Sequence, residues 1–265
     1  MATAGAPPSV GALLRDWRRR RRLSQLDLAL EAGVSARHLS FVETGRSRPS
    51  ADMVLQLADQ LDVPLRNRNQ LLRAAGHAPV FEQHALDDPE MAPVRRAIDL
   101  ILTGHDPYPA VVIDRAWEML GANRAVALLT AGVTPELLEA PVNVLRLSLH
   151  PDGVAPRIAN LPEWRGHLLD RLERQIALTG EPALTTLLEE VRGYPGRKRV
   201  TGGSGEPDIA VPLRVSTEVG ELSFISTVAT FGTAVEVTAS ELSIESLFPA
   251  DEATAEAVRA YVAGP

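Results

Sequence analysis

The chain has 265 residues, of which 45% are hydrophobic and 23% charged, values typical of a protein that folds around hydrophobic cores. It has no cysteine, which excludes disulfide scaffolds, cysteine-ligated metal centres and thiol catalysis. The net charge of −7 is unevenly divided. Residues 1–78 carry 12 basic and 7 acidic side chains, a charge of +5, and the remainder carries 15 basic and 27 acidic ones, a charge of −12. This asymmetry indicates that the first segment meets a polyanion.

Short stretches with helical periodicity fill the first 75 residues. Four of them follow a serine placed where a helix N-cap is expected, namely Ser9, Ser24, Ser35 and Ser50. Pro64 suits the first turn of a fifth helix, which Gly76 ends. We therefore predict an all-α domain of five helices over residues 9–76, with a flexible tail at 1–8 and a linker at 77–88.

The pattern after the linker mixes helical and alternating stretches. Strands joined by short turns are typical of antiparallel pairing, so we predict an α+β domain over residues 89–265. The predicted elements are a helix at 89–103, two strands within 109–123 about a turn at Asp114, a helix from Asn123, helices at 134–140 and 160–192, a loop at 197–207, strands at 209–217 and 220–230, a short strand or helix, and a helix at 252–262.

Residues 23–50 meet the requirements of a helix-turn-helix. Ala29 is small where a following helix must pack closely, and Gly33 tolerates the positive φ that the turn needs. Val34 fills the angle between the helices, while Leu39 and Val42 form the buried side of the next helix. The other side of that helix would enter the major groove of DNA. Its residues are Ser35, Ala36, Arg37, His38, Ser40 and Phe41.

This stretch resembles the phage-repressor-like helix-turn-helix family, often called the XRE type. The similarity lies in Gln25 at the start of the second helix, the Glu-Thr-Gly at 43–45 and the Arg-Pro-Ser at 48–50. The resemblance implies that Gln25, Arg46 and Arg48 contact backbone phosphates. It also implies that Arg18 pairs internally with Glu43.

The same resemblance places Arg37 and Phe41 nearest the bases, with Ala36 able to touch a thymine methyl group. A guanidinium can bond to guanine through two donors, so Arg37 is the residue expected to read sequence directly. Other interpretations stay open. Phe41 alternatively packs against its own domain, His38 is a groove-edge or solvent residue, and Arg19–Arg22 form a solvated helix face or contact phosphates.

The second region resembles the MmyB-like ligand-binding domain, which is attached to XRE-type domains and has a PAS-like fold. The similar segments are Ala-Gly-His-Ala-Pro at 75–79, residues 86–99, Trp117 with Asn123-Arg124, residues 143–147 with His150-Pro151, and residues 157–161 with Trp164. The resemblance implies a pocket for a small apolar molecule, with a fatty-acid-like ligand as the leading candidate.

Aromatic side chains are candidate walls of that pocket, and polar ones are candidate anchors for a carboxylate. The candidate walls are Trp117, Trp164, Phe224 and Phe231, and the candidate anchors are Asn123, His150 and Arg157. Each has a structural alternative, because tryptophan on a strand commonly belongs to a core and His150 before a proline commonly lies in a turn.

The chain lacks the sequence motifs of enzymes and metal sites. It has no P-loop, no glycine-rich dinucleotide motif and no metal-binding histidine pair, so we expect neither an enzyme, a cofactor nor a metal. With no signal peptide or apolar span, a cytoplasmic protein is expected. We expect a homodimer that binds a double-stranded DNA operator and is controlled by an apolar small molecule. The alternative is a regulator controlled by a protein partner, as antitoxins are, with no small-molecule ligand.

Overall fold

The computed structural model describes residues 8–195 and 211–264, and the chain divides into two compact units. The N-terminal unit comprises the chain through His84 together with Ala177–Thr179 and Ala234–Ser240. The C-terminal unit comprises the rest of the chain. Within these described residues, no helix is both long enough and apolar enough to cross a membrane.

Five helices follow one another in the N-terminal unit, as the serine pattern predicts. Each of the first four begins after a serine whose side chain accepts a hydrogen bond from a backbone N–H of the first turn. This bond satisfies a donor that helix geometry leaves free. The helices are α1 (Val10–Arg20), α2 (Gln25–Glu31), α3 (Ala36–Glu43), α4 (Ala51–Gln60) and α5 (Leu65–Ala74). Their buried faces meet in one core that includes Leu14, Leu28, Leu39, Leu57 and Leu71.

Seven more helices follow in the described chain. They are α6 (Ala92–Gly104), α7 (Val126–Thr130), α8 (Val144–Leu149), α9 (Leu161–Thr179), α10 (Pro182–Gly193), α11 (Val237–Ser240), which lies in the N-terminal unit, and α12 (Glu252–Ala263). Three single-turn 3₁₀ helices also occur, at Pro89–Met91, Pro135–Leu137 and Ala155–Arg157.

One five-stranded antiparallel sheet forms the centre of the C-terminal unit. Its strands are β1 (Ala110–Ile113), β2 (Met119–Ala122), β3 (Leu213–Thr217), β4 (Gly220–Thr230) and β5 (Ser243–Pro249). Their order is β2-β1-β5-β4-β3, so the last strand in sequence lies in the middle of the sheet. In this register Glu245 of β5 lies between Val111 of β1 and Val228 of β4.

The two faces of the sheet bury different cores. Side chains alternate along a strand, so Val112 and Ile244 point to a small cluster with Ile98 and Leu102 of α6. Val111 and Leu247 point the other way, into the larger cluster. That cluster includes Trp117, Leu145, Trp164, Leu168, Leu213 and Phe224.

The segment Ala234–Ser240, which includes α11, is part of the N-terminal unit. The backbone N–H of Val237 donates to the Glu82 carbonyl at 2.9 Å. The Glu236 carboxylate accepts hydrogen bonds from the backbone N–H groups of His84, at 2.8 Å, and Ala239, at 2.7 Å. These bonds hold α11 against the chain that follows α5.

Several predicted elements differ from the observed ones. The helix predicted over 160–192 is two helices, because Gly180 adopts φ 65° and Pro182 begins α10. The segment 134–140 has only a 3₁₀ turn, Pro135–Leu137. Helix α8 was not predicted, and the undecided strand or helix near the end is strand β5. The strands predicted about Asp114 and before and after Glu218 are confirmed as β1, β2, β3 and β4. Residues 1–7 of the predicted tail and the predicted loop at 197–207 lie outside the described residues.

Candidate functional site

Helices α2 and α3 are joined by the tight turn that the sequence predicts. Helix α2 buries Leu28 and Ala29, and Gly33 adopts φ 63°, a conformation that L side chains rarely take. The Val34 N–H then donates to the Ala29 carbonyl at 2.9 Å, which fixes the chain as it leaves the turn. Ser35 caps α3 by accepting from the His38 N–H at 3.1 Å. This local geometry directs α3 away from α2 with one face free.

The outward face of α3 carries the residues proposed to meet DNA. Leu39 is buried, whereas Arg37 is exposed and its guanidinium carbon lies 5.4 Å from the centre of the Phe41 ring. Within the described parts of the chain, Arg37 has no hydrogen-bond or ion-pair partner, so its donors are available to a ligand. His38 is engaged by its own domain, with Nε2 3.2 Å from the Met53 sulfur.

The buried carboxylate of Glu43, in the last turn of α3, binds side chains of α1 and α2. Arg18 donates to both of its oxygens, at 2.7 and 2.9 Å, which confirms the predicted internal pair. The Gln25 amide also donates to it at 2.8 Å, and Arg15 Nε lies 3.5 Å away. Burial raises the pKa of Glu43, but the hydrogen bonds and charges of these neighbours outweigh it and hold the pKa below its ordinary value.

Three other arginines of the N-terminal unit, Arg48, Arg21 and Arg46, differ in whether their donors are used within the unit. Arg48 Nε donates to the Ala75 carbonyl at 2.6 Å, and Arg21 donates to the carbonyls of Leu61 at 2.8 Å and Asp62 at 2.9 Å. These side chains bridge helices. Arg46, in contrast, is exposed and has no side-chain partner among the residues that the structure describes. The structural role of Arg21 had no signal in the sequence.

The C-terminal unit contains a cavity of about 110 Å³ on the larger-cluster side of the sheet. Two of its residues are Trp117 and Trp164, both proposed as walls from the sequence. The other apolar residues are Pro109, Ala110, Val111, Met119, Val126, Leu129, Val144, Leu145, Leu147, Val154, Leu168, Leu213 and Leu247. Only three lining residues are polar, Thr130, Ser148 and Glu245. Such a lining suits an apolar molecule with one or two polar groups.

Both tryptophans are held by hydrogen bonds from their ring nitrogens. Trp117 adopts φ 66°, unusual for a bulky residue, and its Nε1 donates to Gln175 Oε1 at 2.7 Å. Trp164 Nε1 donates to Ser148 Oγ at 3.1 Å, and its ring stacks on His167 at 5.5 Å. Burial lowers the pKa of His167. The walls of the cavity are thus fixed in orientation.

Glu245 is the charged residue of the cavity lining, and it is 8% exposed. Arg171 Nη1 donates to Oε2 at 2.9 Å, and Ser226 Oγ donates to Oε1 at 2.7 Å. The same guanidinium lies 4.4 Å from the centre of the Trp117 ring. Glu245 was not among the predicted site residues. An acidic residue between Ile244 and Leu247 of a strand was the available signal.

The other proposed ligand residues do not line the cavity. Asn123 is bound to backbone, accepting from Ala110 N–H at 3.1 Å and donating to the Tyr108 carbonyl at 2.7 Å. His150 packs edge-on against the Tyr194 ring, and Arg157 donates to the Leu129 carbonyl, with burial lowering the pKa of the guanidinium. The two phenylalanines lie elsewhere: Phe224 is fully buried in the larger core, and Phe231 packs on the smaller cluster.

Comparisons with known families find two matches along the chain. Residues 94–260 match the family described as the MmyB-like transcription regulator ligand binding domain, and residues 14–66 match a helix-turn-helix family. The chain therefore belongs to the MmyB-like transcription regulators. Neither family is enzymatic, and the chain combines a helix-turn-helix with a ligand-binding-type domain of transcription regulators. In the described residues, no group of acidic and histidine side chains is arranged to hold a metal ion.

A curated relative is similar over part of the chain. It is the uncharacterized HTH-type transcriptional regulator RghRB of Bacillus subtilis (strain 168), 38% identical over 74 residues. The match covers 28% of this chain and 51% of the relative, so the chain spans about half the length of the relative that it matches.

Proposed function

We propose that this protein binds a specific DNA operator as a homodimer and that a small apolar molecule in its C-terminal unit controls that binding. The exposed, unpartnered Arg37 on α3 supports sequence reading. The aromatic cavity supports ligand binding and favours a sensor over a protein-controlled regulator. We further propose that the unit is a PAS-like domain, which its single five-stranded antiparallel sheet supports.

In this proposal α3 lies in the major groove with Arg37 bonded to guanine O6 and N7. Phe41, which the Arg37 guanidinium covers, would contact a thymine methyl together with Ala36. The phosphate contacts are assigned to Gln25, Arg46 and Arg48, of which Arg46 has its full set of donors free among the described residues. Ser35, His38 and Ser40 lie on the same DNA-facing surface, with His38 at the edge of the groove. Each chain has one recognition helix, so two chains would bind half-sites about 34 Å apart.

The test of sequence reading is Arg37→Ala, measured on a duplex selected from random DNA by the wild-type protein. One bidentate contact is worth roughly 1–3 kcal/mol and the homodimer loses one per chain, so affinity for that duplex should fall about thirtyfold or more at constant salt. Arg73→Ala is the matched control, because Arg73 is an exposed arginine in the last turn of α5. It should change affinity by less than about twofold. Equal losses of affinity in the two variants would show that Arg37 contributes only its positive charge and does not read sequence.

The test of dimerisation is sedimentation of the full chain. A dimer is expected, and a monomer that binds a palindromic site tightly would contradict the proposal.

The apolar character of the cavity supports a ligand whose body is fatty-acid-like. Trp117 and Trp164 present large rings, and burial of apolar area is the main source of affinity in such a site. Native mass spectrometry of the gently purified full chain should show a bound molecule of lipid size. A protein that stays empty and that binds no alkyl compound would count against the sensor proposal.

A further inference from the structure

The cavity in the C-terminal unit has the carboxylate of Glu245 in its wall, and the arginine paired with that carboxylate already binds within the protein. Glu245 lines the cavity, and Arg171, which balances its charge at 2.9 Å, is not among the lining residues. The Arg171 guanidinium also covers the Trp117 ring at 4.4 Å. A ligand therefore meets the acidic member of this ion pair. The inference developed from this arrangement rests on the proposed function, since it concerns the ligand of the same cavity.

Glu245 has hydrogen-bonding capacity to spare. A carboxylate offers about four lone-pair positions, and here one is used by Arg171 and one by Ser226. Both oxygens thus have an acceptor position left. Hydrogen bonds that a neutral donor makes to a charged acceptor are stronger than those between neutral groups.

A carboxylate ligand would fit this wall poorly. It would bring a second negative charge beside Glu245 in an apolar surrounding, where like charges oppose each other strongly. The polar groups that remain in the lining are hydroxyls. Thr130 Oγ1 lies 3.3 Å from the Val126 carbonyl, to which it donates, and Ser148 accepts from Trp164. Neither hydroxyl supplies a positive charge to offset a ligand carboxylate.

We propose that the ligand of this cavity is an apolar molecule with a neutral hydroxyl group, and that the hydroxyl donates a hydrogen bond to Glu245. The apolar body lies against Trp117 and Trp164, as the cavity lining requires. The hydroxyl adds no net charge to the apolar site and uses an acceptor position that the protein leaves open.

The experiment compares three compounds built on an unbranched eight-carbon chain, on the full-length protein. Octan-1-ol has the donor, 1-methoxyoctane keeps the oxygen but lacks the donor, and octanoate carries the charge. Binding is followed by tryptophan fluorescence, since two of the three tryptophans line the cavity, and by thermal shift. Octan-1-ol is expected to bind about tenfold more tightly than either of the others.

The variant Glu245→Gln supplies the second comparison. It removes the negative charge and adds an amide donor, so the preference for octan-1-ol over octanoate should fall about tenfold or reverse. If this variant does not fold because Arg171 loses its partner, Glu245→Gln combined with Arg171→Met removes both charges and serves the same purpose. Glu221→Gln is the control, since Glu221 is an exposed residue of β4 that does not line the cavity.

The outcomes separate this inference from the proposed function. Octanoate binding as tightly as octan-1-ol, or an unchanged preference in the Glu245 variant, overturns the hydroxyl assignment while the sensor proposal stands. Equal binding of octan-1-ol and 1-methoxyoctane also overturns it, because the donor then contributes nothing. Failure of all three compounds to bind overturns the sensor proposal and the assignment together.

Discussion

Removing Arg18 is expected to destabilise the DNA-binding unit more than any surface arginine does. The Glu43 side chain is 0% exposed and that of Arg18 is 12% exposed. In Arg18→Met the carboxylate loses two hydrogen bonds, of 2.7 and 2.9 Å, and retains only the Gln25 amide and the more distant Arg15. Breaking a buried ion pair by removing one partner costs about 3–5 kcal/mol. A domain has about 5–15 kcal/mol of stability in total, so the loss should be large.

The difference in stability between wild type and Arg18→Met should depend on pH. The pKa of Glu43 lies below its ordinary value of 4.5, so its ionised form stabilises the folded state at neutral pH. That contribution is lost as pH falls below 4.5 and through the lowered value. Without Arg18, burial should raise the pKa of Glu43. The stability gap between wild type and Arg18→Met should therefore be widest near neutral pH and should narrow in acid.

Chemical denaturation at several pH values measures the gap, and hydrogen exchange of the α1 and α3 amides assigns it to the N-terminal unit. Arg19→Met is the matched control, because Arg19 is the exposed neighbour on α1 and should change stability by less than about 0.5 kcal/mol. Removing both charges in Arg18→Met with Glu43→Leu should cost less than the single change. A gap under about 1 kcal/mol, or one that stays constant with pH, would refute the reasoning.

Three further outcomes are expected. Arg46→Ala should reduce the slope of log affinity against log salt by about two, because the homodimer loses one phosphate contact per chain, and an unchanged slope would show that Arg46 does not contact DNA. Asn69→Ala should cost about 2 kcal/mol by denaturation, since this buried amide bonds the backbone of Val80 and Phe81 at 2.7–3.1 Å, whereas its neighbour variant Asn67→Ala should cost little. An imidazole titration by NMR should place the pKa of His167 below 6.5, and wild type should lose stability relative to His167→Gln as pH falls below 6.5; a titration at or above that value would contradict the structure.

Features that depend on nearby residues could be predicted from the sequence. The capping serines and Gly33 act within a few residues of themselves, so the five helices and the turn between α2 and α3 could be predicted. The pairing of Arg18 with Glu43 came from the family resemblance, and the structure confirms it. Trp117 and Trp164 were proposed as walls, and both line the cavity.

Features that depend on contacts between distant parts of the chain could not be predicted from the sequence. The pairing of β5 with β1 joins residues more than a hundred positions apart, so nothing near β5 in the sequence indicated a central strand. Asn123 looked available as an anchor, but its amide is used by the backbone of Ala110 and Tyr108. Glu245 reaches the cavity only because the sheet places it opposite Val111, with Arg171 of α9 as its partner.

The most direct test of the account is the operator affinity of the full chain with and without a ligand in the cavity. Fluorescence anisotropy on the selected duplex, with dimer confirmed and salt fixed, should give a Kd that changes several-fold when octan-1-ol saturates the protein. The same addition should leave the Kd of Glu245→Gln less affected, because a neutral amide accepts a weaker hydrogen bond from the alcohol than the carboxylate does. An unchanged Kd for wild type, with octan-1-ol shown to be bound by tryptophan fluorescence, would contradict control of DNA binding by this cavity.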